Sequence, residues 1–310
     1  MKQFVPTLFL SGVLCLPAFA APLSSNARTV IPSAVQQMIS VDYRQLRDSP
    51  AAHALRDRLL PDNLKQFEVA LKGAGIDPDK DVEQLTLIAY RSPKGPLSIG
   101  IAQGSFKKAD FLQKMKAKKV RPEKYQLSYL YPMGSGMQLV FLDPSTILFG
   151  DNAAIKGAID VRDNGAESLE SNNVINGLIG DVDSAPLWSV LDNVGTQTML
   201  RSALGSAGSL SDYDAVKKRL LASDYVMNFD NGVTFDLNVK TSDTMTAATM
   251  ATLLKAGVLY RKMSATPTEK MALENTTVDN SHDMIQMHFQ SDDQRFQALL
   301  KSDLFAAVSK

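Results

Sequence analysis

The 310-residue chain carries 33 Lys+Arg against 33 Asp+Glu, with 45% hydrophobic and 21% charged residues, a balance that excludes a disordered or fibrous protein. The cancelling charge argues against general nucleic-acid binding, which needs surplus cations to displace counterions. One Cys and three His leave little material for a zinc site, a thiol redox pair or a Ser-His-Asp triad.

Residues 1–20 have the pattern of a signal peptide: Lys2, the apolar run Phe4–Leu16, then Ala18-Phe19-Ala20, with cleavage expected before Ala21. The run is short for a bilayer span. Leu14 precedes Cys15 where a lipoprotein signal needs a small residue, so no lipid anchor is expected. Cleavage removes Lys2 and the one Cys, leaving 32 basic and 33 acidic residues, a net charge of −1. A thiol-free chain suits an oxidising compartment, and the expected location is periplasmic or secreted. Lys255 and Gly257 interrupt the later apolar stretch Thr252–Tyr260, so the exported chain is expected not to span a membrane.

A polar linker is expected over residues 21–34, then a strand at Val35–Tyr43. Helices are expected at Arg44–Leu60 and Asp62–Ala74, divided by Pro61, with Gly75 and Asp77-Pro78 ending the second. Val82–Tyr90 and Leu97–Gly104 read as a hairpin, Ser105 as the cap of a helix to Lys118, and Tyr125–Tyr131, Met137–Leu142 and Thr146–Phe149 as strands with turns at Gly134-Ser135-Gly136 and Asp143-Pro144. A helix at Asn152–Arg162 closes this half. The next strand is expected at Pro186–Asp192, before helices at Thr196–Leu204 and Ser211–Leu220. Tyr225, Met227 and Phe229 then alternate with polar residues up to Asn231-Gly232, and Val233, Phe235, Leu237 and Val239 alternate after it, a strong hairpin signature. A long helix at Asp243–Met263, strands at Met271–Val278 and Asp283–Phe289, and a helix at Asp292–Lys301 complete the chain.

Both halves thus run strand, two helices, hairpin, helix, hairpin, helix. Val41-Asp42 aligns with Leu191-Asp192, Leu97–Gly104 with Val233–Lys240, and Leu139 with Ile285. The expected fold is α+β in two tandem similar halves, 35–165 and 166–310, each an antiparallel sheet packed with helices. Gly75-Ile76-Asp77-Pro78 followed by Asp81-Val82 and Leu85–Ala89, with Val41-Asp42-Tyr43 leading into Leu46 and Ser49-Pro50, resembles exported bacterial proteins of unknown function with duplicated α+β halves. The resemblance lies within the first half and implies a fold and an export route, with no activity or site residues to carry over.

Several motifs invite a chemical reading. Asp77-Pro78-Asp79-Lys80-Asp81 imitates the start of a calcium loop, but Val82 and Ile88 stand where Gly and a bidentate acid belong, so a helix-to-strand turn is the better reading. Ser105-Phe106-Lys107-Lys108 with Lys240-Thr241-Ser242 imitates penicillin-recognising enzymes, but Ser211-Asp212-Tyr213 lacks the amide of the middle motif. His282, Met284, Gln286 and His288 share one strand face; His282 and His288 would lie about 20 Å apart, too far for one ion. Ala203–Ser209 is a small-residue loop without phosphate-loop spacing. Lys107, Lys108, Lys114, Lys116, Lys118, Lys119, Arg121 and Lys124 stand against only Asp110 and Glu123, a local charge of +6 that reads either as a solvated helix face or as a contact for an acidic partner or anionic surface.

No catalytic residue, cofactor or metal ligand is assigned from these patterns. The expected function is a non-enzymatic binding module for an unknown protein or envelope component, with that basic stretch as its candidate contact. One alternative is a carrier of an apolar ligand or lipid, for which the 12 methionines left after residue 1 would suit a pocket lining. Another is an envelope hydrolase with a carboxylate-only site, which would leave no signature.

Overall fold

The computed structural model describes residues 23–59, 62–93, 95–133, 136–204 and 211–308. The signal-peptide pattern, Pro61, the turn residues Gly134 and Ser135, and Gly205–Ser209 lie outside them. Twelve antiparallel strands form one sheet flanked by helices on both faces, the α+β architecture expected.

In the first half, β1 (Val35–Asp42) pairs with β2 (Val82–Ser92), which forms a hairpin with β3 (Gly95–Gly104). Between β1 and β2 lie α2 (Tyr43–Leu46), α3 (Pro50–Leu59), α4 (Asp62–Ala74) and α5 (Pro78–Asp81). The helix expected at Arg44–Leu60 is therefore two, because Pro50 cannot continue a helix but suits a first turn. After β3 come α6 (Lys108–Ala117), β4 (Glu123–Tyr125), β5 (Ser128–Pro132), β6 (Met137–Asp143), β7 (Thr146–Asp151) and α7 (Asn152–Asn164). The strand expected at Tyr125–Tyr131 is split by a turn in which Gln126 takes φ 50°.

In the second half, α8 (Asn173–Val182) precedes β8 (Leu187–Asp192), α9 (Asn193–Leu204) and α10 (Ser211–Val216). Then come the hairpin β9 (Leu220–Asn228) and β10 (Val233–Thr241), α11 (Thr244–Ser264), α12 (Pro267–Glu274), β11 (Thr276–Ser281), β12 (Met284–Ser291), α13 (Asp293–Leu299) and α14 (Asp303–Val308). Asn231 and Gly232 both take positive φ, 61° and 107°, as their turn requires. Residues 271–274, expected as strand, are helical because Thr266 and Glu269 form a capping box with Pro267 at the first turn.

The sheet order is β11-β12-β10-β9-β8-β1-β2-β3-β7-β6-β5-β4. Read outwards from the β1–β8 seam, the order β1-β2-β3-β7-β6 repeats as β8-β9-β10-β12-β11. The first residues Val82 and Leu220, Gly95 and Val233, and Thr146 and Met284 are each 138 apart. Leu139 lies on β6 and Ile285 on β12, the counterpart of β7, so their expected alignment is one strand out of step. The segment expected as a linker contains α1 (Ser25–Val30), with Ala27, Val30 and Ile31 fully buried in the core that includes α7 and α8 residues.

One register row shows what each face buries. Leu139, Phe149, Gly100, Leu87, Ile39, Ser189, Tyr225, Leu237, Met287 and Val278 succeed one another across ten strands on one face. Side chains from α4 and α6 pack on this face in the first half, and from α9, α10 and α11 in the second. On the opposite face Ile88, Met38 and Val190 join a core with α1, α7 and α8, but the same row continues as Asp224, Asn238, Gln286 and Asp279. The outer strands of the second half therefore present a polar face there, which is why β10 and β12 alternate so clearly in sequence.

Candidate functional site

An apolar recess lies beneath the C-terminal half of α11. Leu254, Gly257, Val258 and Arg261 follow helical spacing along one side of α11 and face it. The floor is Met287 and Phe289, which strand alternation places on the helix-bearing face of β12; Leu204 of α9, Leu273 of α12 and Leu304 and Phe305 of α14 complete the wall. Its volume is about 190 Å³. Met287 and Phe289 stay half-buried, whereas Ile285, two residues back on the same face, is wholly covered. A second recess of about 190 Å³ shares Ala272 and Leu299 with it; its surface is mainly apolar, with Asn275, Gln294 and Arg295 as polar side chains in its lining. Beyond the rim, α11 leaves Leu259, Tyr260 and Met263 exposed.

One carboxylate ties this region together. Glu269, buried, accepts from Thr266 N and Oγ1 at 2.8 Å through Oε2, and from Leu304 N at 2.8 Å through Oε1. It thus joins the start of α12 to the start of α14. Backbone donation, Thr266 first, holds its pKa below the usual glutamate value.

The basic stretch divides into two groups. Lys118 donates to the Gly73 carbonyl at 2.8 Å and Lys114 lies against Gly75, so these two reach over the end of α4, while Lys108 sits 5.3 Å from the centre of the Phe141 ring of β6. Lys107, Lys116, Lys119, Arg121 and Lys124 are exposed, and their side chains make no ion pair or hydrogen bond with the described residues. Glu123 is engaged by Lys156 of α7 at 2.6 Å, which lowers its pKa.

The other motifs resolve into structure. Asp77 caps α5 by accepting from Asp79 N, and Asp81 accepts from Asp77 N at 2.7 Å. Asp79 pairs with Lys72 at 2.9 Å and Arg56 at 3.2 Å, and Arg56 also holds Glu68 at 2.6 Å, so the imitation calcium loop is an ion-paired turn. Helix α6 begins at Lys108 with Lys107 as a cap that forms no side-chain bond; Ser105, expected as the cap, instead donates its N–H to the Asp81 carbonyl. His282 occupies the β11–β12 turn at φ 53°, while His288 pairs with Asp236 of β10 at 2.6 Å. Among the described residues no three His, Cys, Asp or Glu side chains come together as a metal site. Nor is any helix among them long and apolar enough to cross a membrane.

No protein-family model matches the sequence, and no curated protein matches it either. The fold is similar to that of crystal form I of TP0453, with a TM-score of 0.51 at 9% identity over 93% of this chain and 98% of that one. Crystal form III of TP0453 gives 0.53 at 8% identity, over 90% and 97%. At this identity the likeness is one of fold alone.

Proposed function

We propose that the protein is exported and acts as a non-enzymatic binding protein that holds the hydrocarbon part of an envelope component. The carrying observation is the apolar recess beneath α11, whose floor of Met287 and Phe289 is left half-uncovered. A volume of about 190 Å³ suits part of an alkyl chain or one ring, not a whole lipid. The neighbouring recess with Asn275, Gln294 and Arg295 offers polar partners at one end, so an amphiphile is the ligand class that fits both. Export is supported by the pattern from Lys2 to Ala20.

Titration of the purified protein with an environment-sensitive fluorescent fatty acid tests this reading. Saturable binding is expected, and Ala272→Phe, which fills the recess from its wall, is expected to weaken it at least tenfold while leaving the melting temperature near that of the parent. Absence of saturable binding, or equal binding by Ala272→Phe, would discard the recess as the site.

A further inference from the structure

We infer that the sheet edge at β4 is a docking surface for an anionic lipid bilayer. This surface is distinct from the recess beneath α11 and does not rest on it. Strand β4 ends the sheet order, so its outer side faces no further strand. Lys116 in the last turn of α6, Lys119 and Arg121 in the segment that leads into β4, and Lys124 on β4 itself are exposed, with side chains unpaired among the described residues, while the intervening Glu123 is already neutralised by Lys156. In a chain of zero formal charge this leaves a cluster of one sign.

The same edge carries apolar side chains held out from the fold. Gln126 at φ 50° turns β4 into β5, and Leu127 at the tip is 87% exposed. Tyr129, 52% exposed, lies opposite Lys124 in the β4–β5 register. The tip is clamped from behind. Arg162 donates to the Ser128 hydroxyl at 2.9 Å and pairs with Asp163 at 2.7 Å, and Asp163 accepts from the Leu127 backbone. Leu127 is thus fixed in an outward position by a buried-side network.

Lysine-rich charge spread along a chain segment matches the diffuse negative potential of a lipid surface. Leucine at a turn tip can enter the acyl boundary, and a tyrosine beside it suits the headgroup level. An acidic protein fits less well, because lysine is depleted in protein–protein interfaces and a projecting tip offers no recess for a partner's anchor.

Cosedimentation of the purified protein with phosphatidylcholine vesicles, with and without a phosphatidylglycerol fraction, tests the inference at low and high salt. Binding only to the anionic vesicles, weakened by salt, is expected. Replacing Lys116, Lys119 and Lys124 together by Gln should lower the partition coefficient on the order of a hundredfold, at about fivefold per cation. Leu127→Ser should weaken partitioning without changing the melting temperature, and Leu127→Trp should show a blue-shifted emission component on anionic vesicles. Equal partitioning to neutral vesicles, unchanged Leu127→Trp emission on binding, or binding to soluble polyglutamate without binding to anionic vesicles would each overturn the lipid assignment.

Discussion

Gly100 sits in β3 where the ring of Phe149 crosses the strand, so a Cβ at this position would overlap the ring carbons. The ring is held there by stacking on Phe67 of α4 at 4.5 Å between centroids. The glycine is therefore what allows α4 to close on this face, and its φ is not in the left-handed region. Gly100→Ala should cost about 1–3 kcal/mol by forcing Phe149 out of its stack, measurable by urea unfolding. A midpoint equal to the parent's would mean that the ring can be displaced without loss. Asp42 and Asp192, aligned in sequence as Val41-Asp42 and Leu191-Asp192, share a role that the alignment did not name. Asp42 accepts from Arg44 N and Gln45 N at 2.9 and 3.1 Å, and Asp192 accepts from Gly195 N at 2.8 Å. Each carboxylate starts a helix from the end of a seam strand.

Helix α11 is the longest element, and its beginning is fixed by Asp243, which accepts from Thr246 N at 2.8 Å, Thr246 Oγ1 at 2.9 Å and Ser242 Oγ at 2.7 Å. These donors, Ser242 first, bring its pKa down to about 2. In the unfolded chain the same carboxyl takes up a proton at about pH 4, so the fold binds fewer protons between the two values. The cap's contribution is therefore complete above about pH 4 and is lost as pH falls towards about 2. The gap in melting temperature between the parent and Asp243→Ala should narrow as pH is lowered through that window; a constant gap would show that the carboxylate charge is not what holds the cap. This helix, like the β9–β10 hairpin, was readable because its signals are local. The missed elements depend on other information. Helix α8 owes its place to the burial of Ile175, Ile179 and Val182 beneath β8 and β9, and the β4–β5 turn to a positive φ at Gln126, a residue with no special turn preference. The same distinction governs the sites. The basic stretch was visible because its charges are consecutive, although which lysines cover α4 and which face solvent required coordinates. The recess beneath α11 was invisible because its walls come from α9, α11, α12, β11, β12, α13 and α14, each contributing residues that alone look like ordinary core.

At the scale of the whole molecule, the two runs of the repeated strand order do not form two separable bodies. Strands β1 and β8 pair from Gln37↔Leu191 to Val41↔Leu187, so hydrogen bonds cross the boundary between the halves. Met38 of the first half and Trp188 and Val190 of the second lie in one core with α1 and α7. On the other face Ala51, Ala52 and Leu55 of α3 share a core with Met227, Val233, Phe296 and Leu300. Each half alone would expose one edge of its innermost strand and both of these shared apolar surfaces. The protein should therefore unfold in a single cooperative transition. Trp188, the one tryptophan in the chain, is 1% exposed at the seam and reports its opening directly. In urea its fluorescence transition should coincide with the far-ultraviolet circular dichroism transition, and expression of residues 166–310 alone should yield a chain without dispersed amide resonances. A fluorescence change that precedes the loss of secondary structure would show instead that the seam parts first and that each repeat keeps its own fold.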